Sequence, residues 1–340
     1  MIMVIEENHS PLISVVLPTY NVEDYLLQCL ESVKAQTYQN IEVIIIIDGA
    51  TDSSYEIAKE FCKTDNRFHV YWQENAGSGP ARNNGLSHCS GDFVMFVDPD
   101  DWIEKDLLEN LYQAQKDGDY DFVATRRTKV FCKDNKIVRV TPLHFKEEII
   151  IGQNEVRKAY VRMLKSGAVG SPTQKLYKMS IIKENGVEFP ALRRSQDVAF
   201  NYRYYDHIKS LRLISYSGYN YRIIVKKAPG KSGQDYYKTI EWFYKDYQRL
   251  YNSWNLPFPE QELCDFFFRV RIYANLQQFA AHGWDITPVI GNPTILHIVQ
   301  TANPQTSYLR IVKYLINTKH YKLLEAFLKF VMFVKQRMNK

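Results

Sequence analysis

Along the first hundred residues the apolar positions switch between two periods. Residues 13–18 (ISVVLP) and 43–47 (VIIII) are β-branched runs with little polar alternation, as in strands of a sheet covered on both faces. Between them Val22, Tyr25, Leu26, Cys29, Leu30 and Val33 recur at helical spacing, with Asn21 placed as N-cap and Asp24 three residues on. The alternation repeats as a helix over about 53–63, a short strand over 68–72, a glycine-containing loop, a helix opening near Pro80 and a strand over 93–97. This order predicts an α/β fold: a Rossmann-like, mostly parallel sheet with helices on both faces. Ligands of such sheets bind beyond the carboxyl ends of the strands. Those ends carry Pro18, Thr19, Tyr20 and Asn21, then Asp48 and Gly49, then Asp98, Pro99, Asp100 and Asp101, so three polar clusters are expected on one edge.

Beyond about Val225 the pattern changes to long amphipathic stretches. Ile240, Phe243, Tyr244, Tyr247, Leu250 and Tyr251 keep one helical face, and residues 266–279 continue in the same way. The expected organisation is an N-terminal domain over residues 1–225 and a helical domain over 226–340. KKAPGKSGQD (226–235) between them has the Pro, Gly and Ser content of a linker or mobile loop.

Composition adds three constraints. With 45% hydrophobic and 24% charged residues in 340, the chain is ordinary globular material, and its 24 tyrosines suit sugar rings, whose C–H faces an aromatic ring covers while the hydroxyl hydrogen-bonds. The five cysteines are widely spaced with no C-x-x-C pair, which points away from a disulfide framework or a zinc site and toward a reducing cytoplasm. The start MIMVIEENHS lacks the basic and long apolar regions of a secretory signal, and no apolar run approaches the roughly 20 residues of a membrane span.

The net charge of +5 is unevenly placed. From Ser307 onward eight Lys/Arg face Glu325 alone, a balance of +7, so the preceding 306 residues carry −2. This argues against a nucleic-acid-binding core and for a surface contact made by the C-terminus. There Leu323, Leu324, Phe327, Leu328, Val331 and Val334 lie near one helical face flanked by Lys322, Lys329, Lys335 and Arg337. Such a helix suits the inner face of an anionic membrane, and equally suits docking on its own domain.

The strand ends carry the candidate chemistry. Asp98 and Asp100, one residue apart after a buried strand, can hold a hard divalent cation, Mn²⁺ or Mg²⁺, which in turn grips diphosphate oxygens. Asp48 can accept hydrogen bonds from a nucleobase imide or ribose, while Thr51 and Asp52 serve better than it as caps for the next helix. Asn75 to Asn83 (NAGSGPARN) combines glycines for close backbone approach, a helix N-terminus and Arg82 one turn in, an anion-binding combination.

The strings PTYNVEDYLLQCLESVKAQTYQNIEVIIIIDGATDSS, NAGSGPARNNGL and GDFVMFVDPDDW, in this order and spacing, resemble glycosyltransferase family 2, whose members have the GT-A fold. Fainter matches run through KLYKMSIIKENGVEFP (175–190), SQDVAFNYR (195–203) and YNYR (219–222). The resemblance implies that Tyr20 lies along a uracil that Asp48 bonds, and that Pro18, Thr19, Asn21, Asn75, Gly77, Arg82 and Pro99 line the nucleotide sugar. It implies that Asp98 meets ribose and metal, that Asp100 is the principal metal ligand, and that Asp197 is the catalytic base. Family members commonly have Asp or Asn where this chain has Ile47, Ser for Ala50 and Glu for Gln196, and Gln174 stands where an aromatic or small residue often sits near the sugar.

The implied activity is inverting transfer of a hexose (galactose, glucose or an N-acetylhexosamine) from a UDP-sugar to a hydroxyl of a glycan or glycosylated protein, in the synthesis of a surface polysaccharide or glycoprotein glycan. With one base and no evident nucleophile, a single displacement is the mechanism the residues can carry. Two rivals remain at this point: a sugar nucleotidyltransferase, which normally has a Gly-rich loop after the first strand where this chain has PTYNVEDY, and an inactive glycan-binding module of the same fold.

Overall fold

The computed structural model describes residues 10–134, 136–192, 194–225 and 233–338. The first nine residues, Arg193, most of the linker-like stretch (226–232) and the side chain of Lys335 lie outside the described residues. The chain separates into two compact units, Met1–Val225 and Lys226–Lys340.

In chain order the first unit runs β1 (Ile13–Thr19), α1 (Glu23–Lys34), β2 (Ile41–Asp48), α2 (Ser54–Cys62), β3 (Phe68–Gln73), α3 (Ser78–His88), β4 (Phe93–Phe96), β5 (Trp102–Ile103) and α4 (Leu107–Lys116). It continues with β6 (Phe122–Lys133), β7 (Lys136–Pro142), β8 (Glu148–Ile151), α5 (Gln153–Ser166), β9 (Lys175–Lys178), α6 (Met179–Asn185), α7 (Gln196–His207) and β10 (Ser210–Ile224). One sheet has the order β3-β2-β1-β4-β9-β6-β10-β5, with β7 added to β6 and β8 to β10. The pairings β1–β2, β1–β4, β2–β3 and β6–β10 are parallel; β9 is antiparallel to both β4 and β6. All seven residues of β1 and all but Glu42 of β2 are buried, as expected of strands covered on both faces.

Strand order reverses beside β1, whose neighbours are β2 and β4, so the crevice of the sheet opens at their carboxyl ends. Helix α3 is pressed against β1 there: a Cβ on Gly85 would stand 2.4 Å from Val16 Cγ1, a distance only glycine permits. The helix opens at Ser78, two residues before the expected Pro80.

Asn21 is not the N-cap of α1. That place belongs to Val22, and Asn21 sits at φ 48° with its side-chain oxygen accepting from Thr51 N (2.8 Å). The free N–H groups of α1 are met from the loop after β2 instead: Val22 N donates to Ser54 Oγ and Glu23 N to Asp52 Oδ2, both at 3.0 Å. Glu23 returns the contact by accepting from Ser53 N (2.9 Å). Two helices that start side by side at adjacent parallel strand ends cap each other, which ties the first two polar clusters into one rigid rim.

The second unit is helical: α8 (Tyr236–Ser253), α9 (Glu260–Phe267), a π-helical turn (Phe268–Ile272), α10 (Tyr273–His282), α11 (Thr287–Ile290), α12 (Pro293–Thr301), α13 (Ser307–Asn317) and α14 (Tyr321–Met338). The aromatic face read from the sequence of α8 is its buried face. No helix among the described residues is long and apolar enough to cross a membrane.

Candidate active site

Four aspartates meet at the carboxyl edge of β2 and β4, in different states of satisfaction. Asp48, at the end of β2, is 2% exposed. Its Oδ1 accepts from Gln73 Nε2 and Ala76 N, and its Oδ2 from Gly77 N, each at 2.8 Å, while its carbonyl accepts from Asn75 Nδ2 (2.9 Å). The carboxylate therefore organises the loop before α3, and both oxygens are engaged there. Gly49 at φ +64° makes room for this loop, since a Cβ there would lie 2.7 Å from Asn75 N. After β1, Pro18 and Thr19 are buried and Asn21 is held by Thr51, so Tyr20, about half exposed, is the member of that cluster with a free face.

Beyond β4 the pattern differs. Asp98 Oδ1 receives Arg82 Nη2 at 2.7 Å, a pair in which the arginine is nearly buried and lies over the Phe189 ring. Asp101 is closed to solvent: Tyr219 Oη donates to its Oδ2 (2.8 Å) and Arg222 N to its Oδ1 (2.7 Å). Burial, with Asp98 and Asp100 nearby, holds its carboxyl well above the usual carboxylate range. Arg222 also donates Nε to the Asp100 carbonyl (2.7 Å) and Nη2 to Gln28 (2.5 Å), sandwiched by Trp102 and Tyr25, while Tyr219 Oη accepts from Asp98 N. The turn bearing Asp98 to Trp102 is thus clamped by β10 from more than a hundred positions away. The string YNYR was the sequence signal for this clamp, but the roles of Tyr219 and Arg222 follow only from the pairing of β10 with β5.

Asp100 is the exception. Its carboxylate meets its own backbone N–H, and burial together with the neighbouring Asp98 charge pushes it up to about 6. Among the described residues no group of three or more His, Cys, Asp or Glu is arranged to hold a metal ion. An underused, half-buried carboxylate beside Asp98 nevertheless fits a hard cation that draws most of its oxygen ligands from a bound diphosphate.

Asp197 lies on α7, which is tied to the start of α3. It is the second residue of α7, whose N-cap position is held by Ser195 at φ 61°. Gln196 donates to Ser78 Oγ (2.6 Å) and packs on Gly79, joining the start of α7 to the start of α3. Asn83 of α3 brackets the Phe189 backbone with two hydrogen bonds of 2.9 Å, and Phe189 stacks on Phe200 of α7 at 4.0 Å. Lys175, fully buried at the start of β9, has its ammonium pushed well down by burial and by Arg127, an effect the Asp197 charge opposes. Thr173 bridges to Phe96, which sets Gln174 and Lys175 beside the end of β4.

Comparison with known proteins places this arrangement. The sequence model of Glycosyl transferase family 2 matches residues 14–186. Putative glycosyltransferase EpsH of Bacillus subtilis (strain 168) is 34% identical over 252 residues, covering 71% of each chain. Residues 1–349 of S. aureus TarS, solved in complex with UDP-GlcNAc, share the fold with a TM-score of 0.69 at 20% identity, over 93% of this chain and 90% of that one. Mannosyltransferase PcManGT from Pyrobaculum calidifontis, in complex with GDP-Man and Mn²⁺, shares it more distantly, with a TM-score of 0.50 at 16% identity over 98% and 89% of the two chains. The mixed sheet with its crevice at β1, β2 and β4, and the family match that spans all three, lead to one conclusion: this chain is a glycosyltransferase of family 2 with a GT-A fold.

Proposed function

We propose that the chain is an inverting, metal-dependent hexosyltransferase that moves a sugar from a UDP-sugar to a hydroxyl of a glycan or glycosylated protein acceptor. The observation that carries this reading is the Gln196–Ser78 hydrogen bond, because it joins the helix bearing Asp197 to α3, whose leading loop Asp48 holds at the carboxyl end of β2. The TarS complex with UDP-GlcNAc supports the choice of nucleotide.

In this reading Tyr20 offers its open face to the uracil, and Asp48 acts on the nucleotide through the loop it holds, with Asn75 and Gly77 at its rim. Pro18, Thr19, Asn21 and Pro99 shape the floor. The first-turn N–H groups of α3 and the Arg82 guanidinium present positive potential to the diphosphate. Asp98 and Asp100 would hold Mn²⁺ or Mg²⁺, which when bound neutralises charge on the departing UDP. Asp197 accepts the acceptor hydroxyl proton as the acceptor oxygen bonds to the anomeric carbon and the bond from that carbon to the diphosphate oxygen breaks, inverting the centre in one displacement. The unit over residues 226–340 serves acceptor, partner or membrane contacts, and the reaction runs in the cytoplasm of a bacterium, at its surface-polysaccharide or glycoprotein-glycan machinery.

The test is UDP release across a panel of UDP-galactose, UDP-glucose and UDP-N-acetylhexosamines with Mn²⁺, with GDP-mannose as the counter-donor. One active UDP donor, silenced by EDTA, is the expected result. Release of GDP alone overturns the nucleotide assignment, full activity in EDTA overturns the metal, and silence with every donor leaves an inactive glycan-binding module.

A further inference from the structure

The C-terminal helix α14 has two apolar faces where the sequence pattern described one. Leu324 and Leu328 are fully buried, and α14 packs against α10 and α13 of its own unit. Leu323, Phe330 and Phe333 are instead 57%, 60% and 52% exposed. At 3.6 residues per turn the centres of the two sets lie roughly 150° apart around the axis, so docking on the unit leaves a second face uncovered. Exposed Lys322 and Lys329 border that face and exposed Arg337 falls within it, whereas Glu325, the lone acid from Ser307 onward, lies away from it.

We propose that this outer face seats the protein on the surface of an anionic lipid bilayer, with α14 lying in the plane of the headgroups. Leu323, Phe330 and Phe333 enter the acyl boundary, and the lysine and arginine stems carry their charges up to the lipid phosphates. Charge selects this occupant. A second copy laid face to face would bring two segments of +7 together, and a nucleic acid backbone offers nothing to three large apolar side chains. An anionic bilayer answers both the charge and the apolar surface at once. The buried face anchors the helix, so the membrane meets a surface that is already folded.

The experiment is co-sedimentation of the full chain with phosphatidylcholine vesicles containing phosphatidylglycerol, and with phosphatidylcholine alone. Wild type is expected to pellet with the anionic vesicles and to be released by salt. Phe330→Ser with Phe333→Ser should lower the partition coefficient by at least about tenfold, since two aromatic side chains no longer leave water. Lys322→Glu with Lys329→Glu should lower it to a similar extent and remove most of the salt sensitivity. Circular dichroism and gel filtration establish that both variants stay folded, and if the phenylalanine pair does not, the lysine pair decides alone. Equal pelleting of wild type and the folded variants, or equal binding to neutral vesicles, overturns the proposal. So does a wild-type dimer that the phenylalanine variant turns into a monomer without any vesicle binding, because the face is then a contact between copies.

Discussion

Asp48 closes β2 and Asp100 follows β4 on the same sheet edge, yet the chain treats the two carboxylates in opposite ways. Asp48 takes three donors at 2.8 Å and is almost wholly buried. Asp100 takes only its own backbone N–H and titrates near 6 because burial and Asp98 disfavour its charge. Asp101, the next residue, is saturated like Asp48. A carboxylate whose acceptors are filled from the protein builds the site, and one left short of donors is the one with something to gain from a ligand. Arg222 makes the contrast possible, since it fixes the backbone of Asp100 without touching its carboxylate.

The largest effect is expected at Asp100. Asp100→Asn should lower sugar transfer by about a thousandfold, the worth of several kcal/mol of charge stabilisation lost with the metal. It should also stabilise the metal-free protein. A folded carboxyl that titrates near 6 instead of 3.8 carries a penalty of up to about 3 kcal/mol at neutral pH, which is absent below the unfolded value and grows as pH rises toward 6. Thermal melts should therefore give a higher Tm for the variant without ligand, while Mn²⁺ with UDP raises the Tm of wild type only. Below pH about 6 the apparent Mn²⁺ affinity of wild type should fall about tenfold per pH unit as the proton competes. A variant that melts lower than wild type and still answers Mn²⁺ would erase the contrast with Asp48.

Next comes Asp197→Asn, expected to lower transfer by at least about a hundredfold with donor binding and Tm near wild type. The N-cap position of α7 belongs to Ser195 and is untouched by the substitution. Transfer within a few-fold of wild type would move the base elsewhere, and Asp101, closed on both oxygens, is a poor candidate.

Asp48→Asn should act on stability more than on the chemical step. An amide offers one acceptor oxygen where the loop presents donors to two, and its NH₂ would face a backbone N–H. The expected cost is about 2 kcal/mol, read as a lower denaturation midpoint, with weaker UDP binding and a kcat changed less than KM. A kcat loss at unchanged stability would assign Asp48 to the reacting centre and break the comparison from its other side.

The elements that present these aspartates were legible because β1, β2 and β4 are buried parallel strands, whose apolar runs need no partner to be recognised. Other features depend on residues distant in sequence. Asn21 looked like a cap because the true partners of the α1 N–H groups, Asp52 and Ser54, stand about thirty positions away. Residues 122–133 (FVATRRTKVFCK) are half polar yet form a long strand, because β10 and β7 supply pairing on either side. Asp48 could be named from its motif, but whether its oxygens faced a base or a loop depended on where Gly49 turns the chain. In α14 the spacing groups Leu323 with Leu324 and Leu328 on one face, and only the packing, which buries Leu324 and Leu328, leaves Leu323 outside with Phe330 and Phe333.

The smallest predicted effect concerns Gln196, at a position where the resemblance to family 2 leads to the expectation of Glu. Its Nε2 donates to Ser78 Oγ at 2.6 Å and its Oε1 is buried without a partner. Gln196→Glu keeps a side chain of the same size against Gly79, and the Ser78 hydroxyl can turn to donate instead of accept. The new charge stands next to Asp197, and a like charge disfavours ionisation, so the pKa of the base rises. The acid limb of the kcat/KM profile should then move to higher pH by about one unit or less, with the plateau rate within a few-fold of wild type. The same substitution should leave the Mn²⁺ dependence untouched, because the ligand proposed for the metal is Asp100, on the turn after β4. A shifted Mn²⁺ titration with an unmoved acid limb would mean that the limb reports Asp100, and that Asp197 is not the group whose proton sets the rate.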